Sequence, residues 1–427
     1  MKNNTQLLNY LLVFSIIVAG ISFLEDFRLS KKTFNDDLFK RVYSAKLLQS
    51  GINPYTVIYS EDKETVSYYG IADDHSIVTN ATPSSLFLHI LLMSKDYITQ
   101  QKLWFYLQWA MLLLILLVLY KMEGLTTKSQ IVFIYVLAFI AGSYFWRLHV
   151  ERGQIYILHC LFIIISYYFI MQKSKNEFLS GLILGIAASF RLHTIFISIP
   201  FILFKSYRVV AGIIIGFVSS VCFIIYNYGL KIWTGYFDGI NLYNNSFFNL
   251  IKDTKPIIKC IDNAFCTVPD GVSVLLPLLY SNSSIQHILK DKYNILVSPL
   301  MLILFLFITF IAYIFVIKRF KVQALNYSEL FFTGSCFVLL SEYFTVICRY
   351  SYCNVIWILT FALAVFSYRS LTDLFYSKSI IILLLGIYFS LNPGIFPDAI
   401  LLSDYLMLIY FITINILLFR KLNNATS

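Results

Sequence analysis

Long runs of apolar residues, separated by short polar connections, recur along the chain from residue 7 to its last residues. A helix needs ~20 mostly apolar residues to cross a bilayer, so this pattern predicts a membrane protein with about twelve transmembrane helices. Several runs are too short for a perpendicular crossing, and we expect these to be broken or partly re-entrant. The predicted spans are residues 7–24, 103–120, 131–146, 154–171, 178–190, 194–204, 209–228, 296–317, 330–348, 355–368, 380–391 and 405–419.

The composition supports the same interpretation, since 59% of the residues are hydrophobic and only 13% are charged. A soluble core of this length does not require so apolar a chain. No stretch indicates a separate soluble domain, so we interpret residues 1–427 as a single all-α, polytopic membrane domain. The first apolar run is followed by Glu25 and Asp26 where a signal peptide would have a small-residue cleavage site, which indicates a retained helix.

The distribution of lysine and arginine predicts the orientation, because the short cytoplasmic loops of membrane proteins carry an excess of both. A cytoplasmic N-terminus makes every inner loop basic, predicts a cytoplasmic C-terminus, and leaves two long outer loops at approximately 25–99 and 229–295. This arrangement accounts for the net charge of +10 without a nucleic-acid partner. The inner basic residues are Lys121, Lys128, Lys173, Lys175, Lys205, Arg208, Lys318, Arg319, Lys321, Arg369, Lys378, Arg420 and Lys421.

Each long outer loop contains a sequence feature that predicts local structure. Residues 84–93 are apolar but make only about half a span, so we expect an interfacial helix there. Cys260 and Cys266 lie close together in the second loop. They are able to form a disulfide if that loop is extracytoplasmic, and two free thiols are equally consistent with the sequence.

Adjacent carboxylates, Asp36 and Asp37, follow the first predicted span. Apolar residues then recur at three- and four-residue steps until Gly51 and Pro54, which predicts a short helix. Neighbouring helical residues point about 100° apart, so we expect only one carboxylate to face a substrate. A carboxylate against apolar walls would have a raised pKa and suit a general base. Helix capping explains the same residues and is the interpretation that the residues alone favour, while a role as general base stays open here.

Further charged residues lie at the outer ends of predicted spans. Arg152 follows Glu151 in a turn that also contains Gly153 and Gln154, where the arginine is able to bind a phosphate or to pair with Glu151. The histidines are dispersed, and no glycine-rich phosphate loop, metal cluster or Ser/His/Asp arrangement stands out. The sequence therefore indicates no cofactor and gives no indication of a divalent cation.

Residues 181–193 combine small residues with cations. Gly181 and Gly185 are four residues apart, a spacing that favours close packing of membrane helices. Arg191 and His193 follow in apolar surroundings, where a cation requires an anion such as a lipid headgroup or a substrate phosphate. Arg349 repeats this theme on another outer turn.

Three blocks within residues 34–204 together resemble glycosyltransferase family 87, a family of the GT-C superfamily. The first is an outer-loop acid followed by an aromatic/small pattern and G-x-x-P-Y, which here involves Asp37, Tyr43 and Tyr55. The others are the E-R-G-Q turn at 151–154 and the helix GLILGIAASFR at 181–191. The spacing from the acid to Tyr43 leaves the choice between Asp36 and Asp37 open.

The resemblance implies a GT-C-like bundle in membrane lipids, in a bacterial cytoplasmic (inner) membrane. It would transfer a mannose-like hexose from a polyprenyl-phosphate-linked donor to a glycolipid or glycan acceptor on the extracytoplasmic face. Asp37 or Asp36 would deprotonate the acceptor hydroxyl, with inversion at the anomeric carbon. The candidates to bind the leaving phosphate are Arg152, Arg191, His193 and Arg349, and the supporting residues are Tyr43, Tyr55, Glu151 and Gln154.

Two other functions are consistent with the sequence. A flippase or transporter of lipid-linked sugars would use intramembrane cations, but such groups tend to lie mid-span, whereas here they cluster at the outer ends. A membrane polysaccharide polymerase would use similar outer arginines without needing the acidic pair. The resemblance favours the glycosyltransferase, and the requirement for Asp36 and Asp37 distinguishes it from these alternatives.

Overall fold

A computed structural model describes most of the chain, and the described part is almost entirely helical. Its one pairing of extended backbone is an isolated antiparallel bridge between Asn282 and Tyr350. Cys260 and Cys266 lie outside the described residues. Those residues are 2–30, 36–55, 79, 81–172, 176–240, 282–293, 295, 297, 299–320, 324–346, 349–375, 379–395 and 398–426.

The α-helices are α1 (Lys2–Ser30), α2 (Asp36–Gln49), α3 (Pro83–His89), α4 (Tyr97–Glu123), α5 (Thr127–Ile134), α6 (Tyr144–Glu151), α7 (Tyr156–Met171), α8 (Glu177–Phe190), α9 (Ser198–Leu203), α10 (Tyr207–Tyr228), α11 (Ile285–Tyr293), α12 (Pro299–Arg319), α13 (Tyr327–Thr345), α14 (Trp357–Ser367), α15 (Leu371–Phe375), α16 (Ile380–Leu391) and α17 (Ala399–Thr426). A π-helical segment, Tyr135–Ile140, continues α5, and 3-10 helices at Leu192–Ile197 and Ser351–Ile356 lead into α9 and α14. Residues 231–240 are also helical.

Every predicted span contains a helix, but the helices differ in length. Among the described residues, α1, α4, α10, α12 and α17 are long and apolar enough to cross a membrane. A sixth candidate joins α5, its π-helical continuation and α6, which bend by 69°. The helical class is therefore confirmed, and the described residues contain five or six candidate membrane spans, which suggests a multi-pass membrane protein, while a total of about twelve crossings stays a prediction.

The bend before α6 is the broken segment that the short apolar runs predicted. The main chain leaves the helical path between Ile140 and Ser143, which frees backbone groups that water cannot reach. Ser22 on α1 donates a hydrogen bond to the freed carbonyl of Ala141. Ser143 then caps α6, with its hydroxyl accepting from the Trp146 amide at 3.3 Å. Ser22 and Ser143 thus satisfy backbone groups on both sides of the break.

Helices α8 and α10 pack at backbone contact, as the glycine spacing predicted. A Cβ atom added at Gly181 would lie 2.1 Å from the Val209 carbonyl oxygen, and one at Gly185 would lie 2.2 Å from the Ile213 carbonyl oxygen. Neither distance is tolerable for a carbon atom. The pair therefore fixes the end of α8, where Arg191 begins the next segment.

The loops that the charge pattern places on the same side of the membrane contact each other in the structure. Among predicted inner loops, Lys128 Nζ donates to the Tyr368 carbonyl at 2.6 Å, and the Tyr327 hydroxyl donates to Glu177 Oε1 at 2.5 Å. The predicted outer loops join each other at the polar cluster described below. The structure thus has two polar ends, and which end is cytoplasmic stays a prediction.

Helix α3 occupies the segment for which an interfacial helix was expected. Thr82 caps it by accepting a hydrogen bond from the Ser85 amide at 3.2 Å, and Pro83 suits its first turn. Its length of seven residues is far too short to cross a bilayer. We therefore retain the expectation that this segment lies along the membrane surface.

Candidate active site

The acidic pair begins α2, as the apolar pattern predicted. Leu38, Val42 and Ala45 are completely buried and form the packed face of this helix. Asp37 lies at the edge of that face, with 19% of its side chain exposed. Asp36 is the first residue of the helix, and its side chain lies outside the described part of the structure. Capping and a chemical role are both compatible with this position.

The E-R-G-Q turn is docked directly on the start of α2. The Leu38 amide donates to the Arg152 carbonyl at 3.2 Å. Gly153 adopts a φ of +66°, and a Cβ atom there would lie 2.5 Å from Leu38 Cβ. A glycine is therefore required by both the backbone conformation and the close approach. Two blocks that are far apart in the sequence form one rigid unit.

Within this unit Asp37 has two side-chain partners. Arg152 Nε donates to Asp37 Oδ2 at 2.9 Å, and Gln154 Nε2 donates to the same oxygen. Arg41 fixes the turn from α2, donating to the Gly153 carbonyl at 2.8 Å and to Gln154 Oε1 at 2.6 Å. Since the amide oxygen of Gln154 is engaged by Arg41, its nitrogen is directed at Asp37.

The pKa of Asp37 differs from the sequence-based expectation. Burial raises the pKa of this carboxyl, but the positive charges of Arg152, Lys40 and Arg41 outweigh burial, so the pKa lies below its ordinary value. A raised pKa was expected from apolar walls alone, and that expectation was wrong because the nearby cations were not considered. Asp37 is therefore ionised at neutral pH and able to accept a proton.

The predicted supporting residues are mostly buried. Glu151 ends α6, and its Oε2 atom has no hydrogen-bond partner among the described residues. Tyr43 stacks on Phe39 with ring centroids 6.0 Å apart. The Tyr55 hydroxyl donates to the Ala81 carbonyl at 2.6 Å, which ties the end of the acidic segment to the entry of α3. Both tyrosines thus hold the shape of the first outer segment.

Arg191 lies at the end of α8, where the backbone becomes extended. Its Nη2 atom is 3.0 Å from Glu342 Oε1, and its guanidinium lies over the Tyr156 ring at 3.9 Å. The side chain keeps 14% of its surface exposed. The anion that this cation required is thus supplied by the protein, from α13.

Arg349 is completely buried and belongs to the same charged cluster. Its Nη1 atom donates to Asp404 Oδ2 at 3.0 Å and to Ser283 Oγ at 2.8 Å. Its Nε atom lies 3.8 Å from Glu342 Oε2, and its guanidinium lies over the Tyr343 ring at 4.0 Å. Direct contact with a substrate phosphate would require this cluster to open.

His193 lies beside Arg191 and lines a cleft of about 340 Å³. Its Nδ1 atom is 3.1 Å from Thr345 Oγ1, whose own proton is donated to the Ser341 carbonyl at 2.7 Å. Because a hydroxyl has one proton, His193 Nδ1 is the donor in this pair. The apolar wall of the cleft is formed mainly by Ile195, Phe196, Leu302, Ile303, Leu306 and Phe344.

Two tyrosines connect the acidic unit with the charged cluster. Tyr156, which lies under Arg191, packs on Tyr352 with ring centroids 5.8 Å apart. Tyr352 is in turn close enough to Asp37 and Arg152 for their charges to act on its pKa, which burial raises, Asp37 raises further and Arg152 lowers. The candidate base, Arg152, Arg191 and His193 therefore belong to one polar end of the bundle, which we treat as the candidate active site.

The sequence interpretation missed Glu342, Asp404 and Arg41. The two acids lie within otherwise apolar helices, and a carboxylate in such a position requires a cationic partner. That signal was present in the sequence and would have pointed to the outer arginines. Arg41 had no distinguishing signal, because a basic residue on a short amphipathic helix is ordinary.

Within the described residues, no group of three His, Cys, Asp or Glu side chains is placed to hold a metal ion.

Comparison with known proteins supports the assignment to a class of membrane enzymes. Neither a search of curated proteins nor a search of solved structures finds a match. The family model of glycosyltransferase family 87 matches residues 82–252, a segment that contains the E-R-G-Q turn and Arg191 but begins after Asp37. The chain therefore resembles glycosyltransferase family 87, which supports a membrane glycosyltransferase.

Proposed function

We propose that the protein transfers a mannose-like hexose from a polyprenyl-phosphate-linked donor to a glycolipid or glycan acceptor. The reaction takes place on the extracytoplasmic face of a bacterial cytoplasmic membrane. The observation that carries this proposal is the proximity of an ionised carboxylate, Asp37, to the cations Arg152 and Arg191 through the Tyr156–Tyr352 pair. Group transfer from a phosphate needs a base at one end and positive charge at the other.

Asp37 is the general base in this mechanism. The acceptor oxygen attacks the anomeric carbon on the face opposite the phosphate, and its proton passes to the Asp37 carboxylate. The bond between the anomeric carbon and the phosphate oxygen breaks, which inverts the anomeric centre. A carboxylate with a lowered pKa is a weak base, and it suits a transition state in which the sugar–phosphate bond is largely broken before the proton moves.

Arg152 and Arg191 bind the leaving polyprenyl phosphate, and Arg191 keeps 14% of its side chain exposed. The fixed positive charges of these two arginines stabilise the negative charge that develops on the leaving group. His193, the further candidate, lines the cleft but is uncharged at neutral pH, because burial and the nearby Arg191 lower its pKa to about 3. Its Nδ1 proton is donated to Thr345, so we assign it a role in shaping the cleft beside Arg191. Arg349 is fully buried, and we assign it an indirect role through Glu342.

The test is sugar transfer in reconstituted membranes from a panel of radiolabelled polyprenyl-phosphate monosaccharides. We expect Asp37→Asn to reduce turnover at least about a hundredfold, as expected when a general base is removed. Asp36→Asn is the matched control, because it removes the same charge one residue away on the same helix. Both variants are compared at equal amounts of folded protein.

Loss of transfer in Asp37→Asn with retention in Asp36→Asn would support the enzyme class and the identity of the base together. Equal activity of wild type and both variants would overturn the role of the acidic pair. Movement of lipid-linked sugar across the membrane, without transfer from any donor, would instead assign the protein to the flippases.

A further inference from the structure

Glu342 lies between two arginines and is bonded unequally to them. Its Oε1 atom is 3.0 Å from Arg191 Nη2, whereas its Oε2 atom is 3.8 Å from Arg349 Nε. Among the described residues, neither oxygen has a partner that donates a directed hydrogen bond, although the side chain is completely buried. Buried carboxylates are normally well bonded. Glu342 is thus held by charge alone, in a position between two possible partners.

Arg349 has unused donors on the side of Glu342. Its Nη1 atom donates to Asp404 and Ser283, while its Nε and Nη2 atoms make no hydrogen bond within the part of the chain that the structure describes. These atoms form one edge of the guanidinium, the edge that binds a carboxylate with two parallel hydrogen bonds. A movement of Glu342 by about 1 Å would bring it within the ~2.9 Å reach of such bonds.

We propose that Glu342 is a positioning residue that releases Arg191 when a phosphate binds. Without a ligand, Glu342 neutralises Arg191. An arriving phosphate pairs with Arg191, and Glu342 then moves to the free edge of Arg349, so that two anions do not compete for one cation. This inference rests on the proposed function. The phosphate that would pair with Arg191 belongs to a polyprenyl-phosphate-linked sugar or to the lipid product.

Direct and relayed roles of Arg349 predict different outcomes. If Arg349 contacts the phosphate, its replacement weakens binding whatever residue occupies position 342. In the proposed relay, Arg349 acts only by accepting Glu342, so removing the carboxylate makes Arg349 dispensable for binding. The coupling between the two positions therefore distinguishes these possibilities.

The experiment measures binding of a radiolabelled polyprenyl phosphate to the protein in nanodiscs. We expect Glu342→Gln to tighten binding by roughly tenfold, because a competing negative charge is removed. Arg349→Lys keeps the charge that Asp404 requires but lacks the free edge, and we expect roughly tenfold weaker binding. The double variant should bind within about threefold of Glu342→Gln alone.

Asp398→Asn is the control, since it removes an exposed acid that pairs with Lys292, and it should leave the affinity unchanged. Weaker binding in Glu342→Gln, or a double variant as weak as Arg349→Lys, would overturn the relay. A purely structural Glu342 would lower thermal stability without tightening binding. If Arg349→Lys does not fold, the sign of the Glu342→Gln effect decides.

Sugar transfer is measured on the same samples. The expected affinity pattern without transfer from any donor would support the phosphate site and contradict the proposed reaction. Transfer without the affinity pattern would contradict the relay alone.

Discussion

Asp37 and Arg152 are partners in this structure, with Oδ2 and Nε 2.9 Å apart. The proposed base and a proposed phosphate ligand thus neutralise each other before any substrate binds. A donor phosphate would draw Arg152 away from Asp37, which would raise the proton affinity of the carboxylate when the acceptor arrives. The ion pair between Asp37 and Arg152 therefore has two roles: it holds α2 against the E-R-G-Q turn, and it belongs to the candidate active site.

The pH dependence of transfer should have no acidic limb near neutrality. The pKa of Asp37 is lower in the folded protein than its ordinary value, so its pairing is complete above about pH 5 and is lost only as the pH falls through the lowered pKa. At donor concentrations well below KM, where the rate is governed by the pKa values of the free enzyme, initial rates between about pH 5 and 8 should therefore be independent of Asp37 protonation.

The matched variant for this profile is Arg152→Gln. Burial raises the pKa of Asp37, and without the arginine this effect is less opposed. The acidic limb should then move to higher pH. A wild-type limb near neutral pH that Arg152→Gln leaves in place would contradict the assignment of Asp37 as the titrating base.

The helices of the chain were predictable because the length and apolar character of each run depend only on residues that are close together in the sequence. The glycine spacing in α8 and the short helix α2 were predicted for the same reason, and both are confirmed. The partners of the charged residues were not predictable in this way. Arg191 and Glu342 are 151 positions apart in the chain, and nothing in their local sequence identifies one as the partner of the other.

Arg41 should influence catalysis through Gln154. It donates to Gln154 Oε1 at 2.6 Å and thereby directs the amide nitrogen at Asp37. Lysine lacks the planar fork whose two terminal nitrogens reach the Gly153 carbonyl and Gln154 separately, so we expect Arg41→Lys to lower kcat roughly tenfold by misplacing the base. Donor KM should change little.

The control for Arg41→Lys is Gln49→Ala, an exposed substitution on the same helix. It should leave both kinetic constants unchanged. If Arg41→Lys raises donor KM and leaves kcat unchanged, Arg41 contributes to donor binding and the proposed orientation of Gln154 does not matter for turnover.

Gly153 should be more sensitive to replacement than Gly51, another glycine with a positive φ. Gly51 has a φ of +76° where the chain leaves α2, and among the described residues a Cβ atom added there would have no neighbour within 4 Å, whereas the Cβ of an alanine at 153 would overlap Leu38. Both substitutions carry about 1–2 kcal/mol of backbone strain. Gly153→Ala should lose a further ~1–3 kcal/mol through overpacking and should also reduce transfer. Equal thermal shifts would show that α2 and the turn are not tightly docked.

The two outer acids Asp404 and Asp398 should differ strongly in their contribution to stability. Asp404 is buried between Arg349 and Asn354, which donates to its Oδ1 atom at 2.7 Å. Replacing Asp404 by Asn leaves a buried guanidinium with too little negative charge, and breaking such a pair destabilises a protein by about 3–5 kcal/mol. Asp398 is more than half exposed and pairs with Lys292 at 2.6 Å, so Asp398→Asn should change stability by less than about 1 kcal/mol.

The midpoints of thermal unfolding of the Asp404→Asn and Asp398→Asn variants, measured in one detergent, give the comparison. Similar midpoints would mean that water enters the charged cluster, in which case Arg349 would be accessible to a phosphate directly.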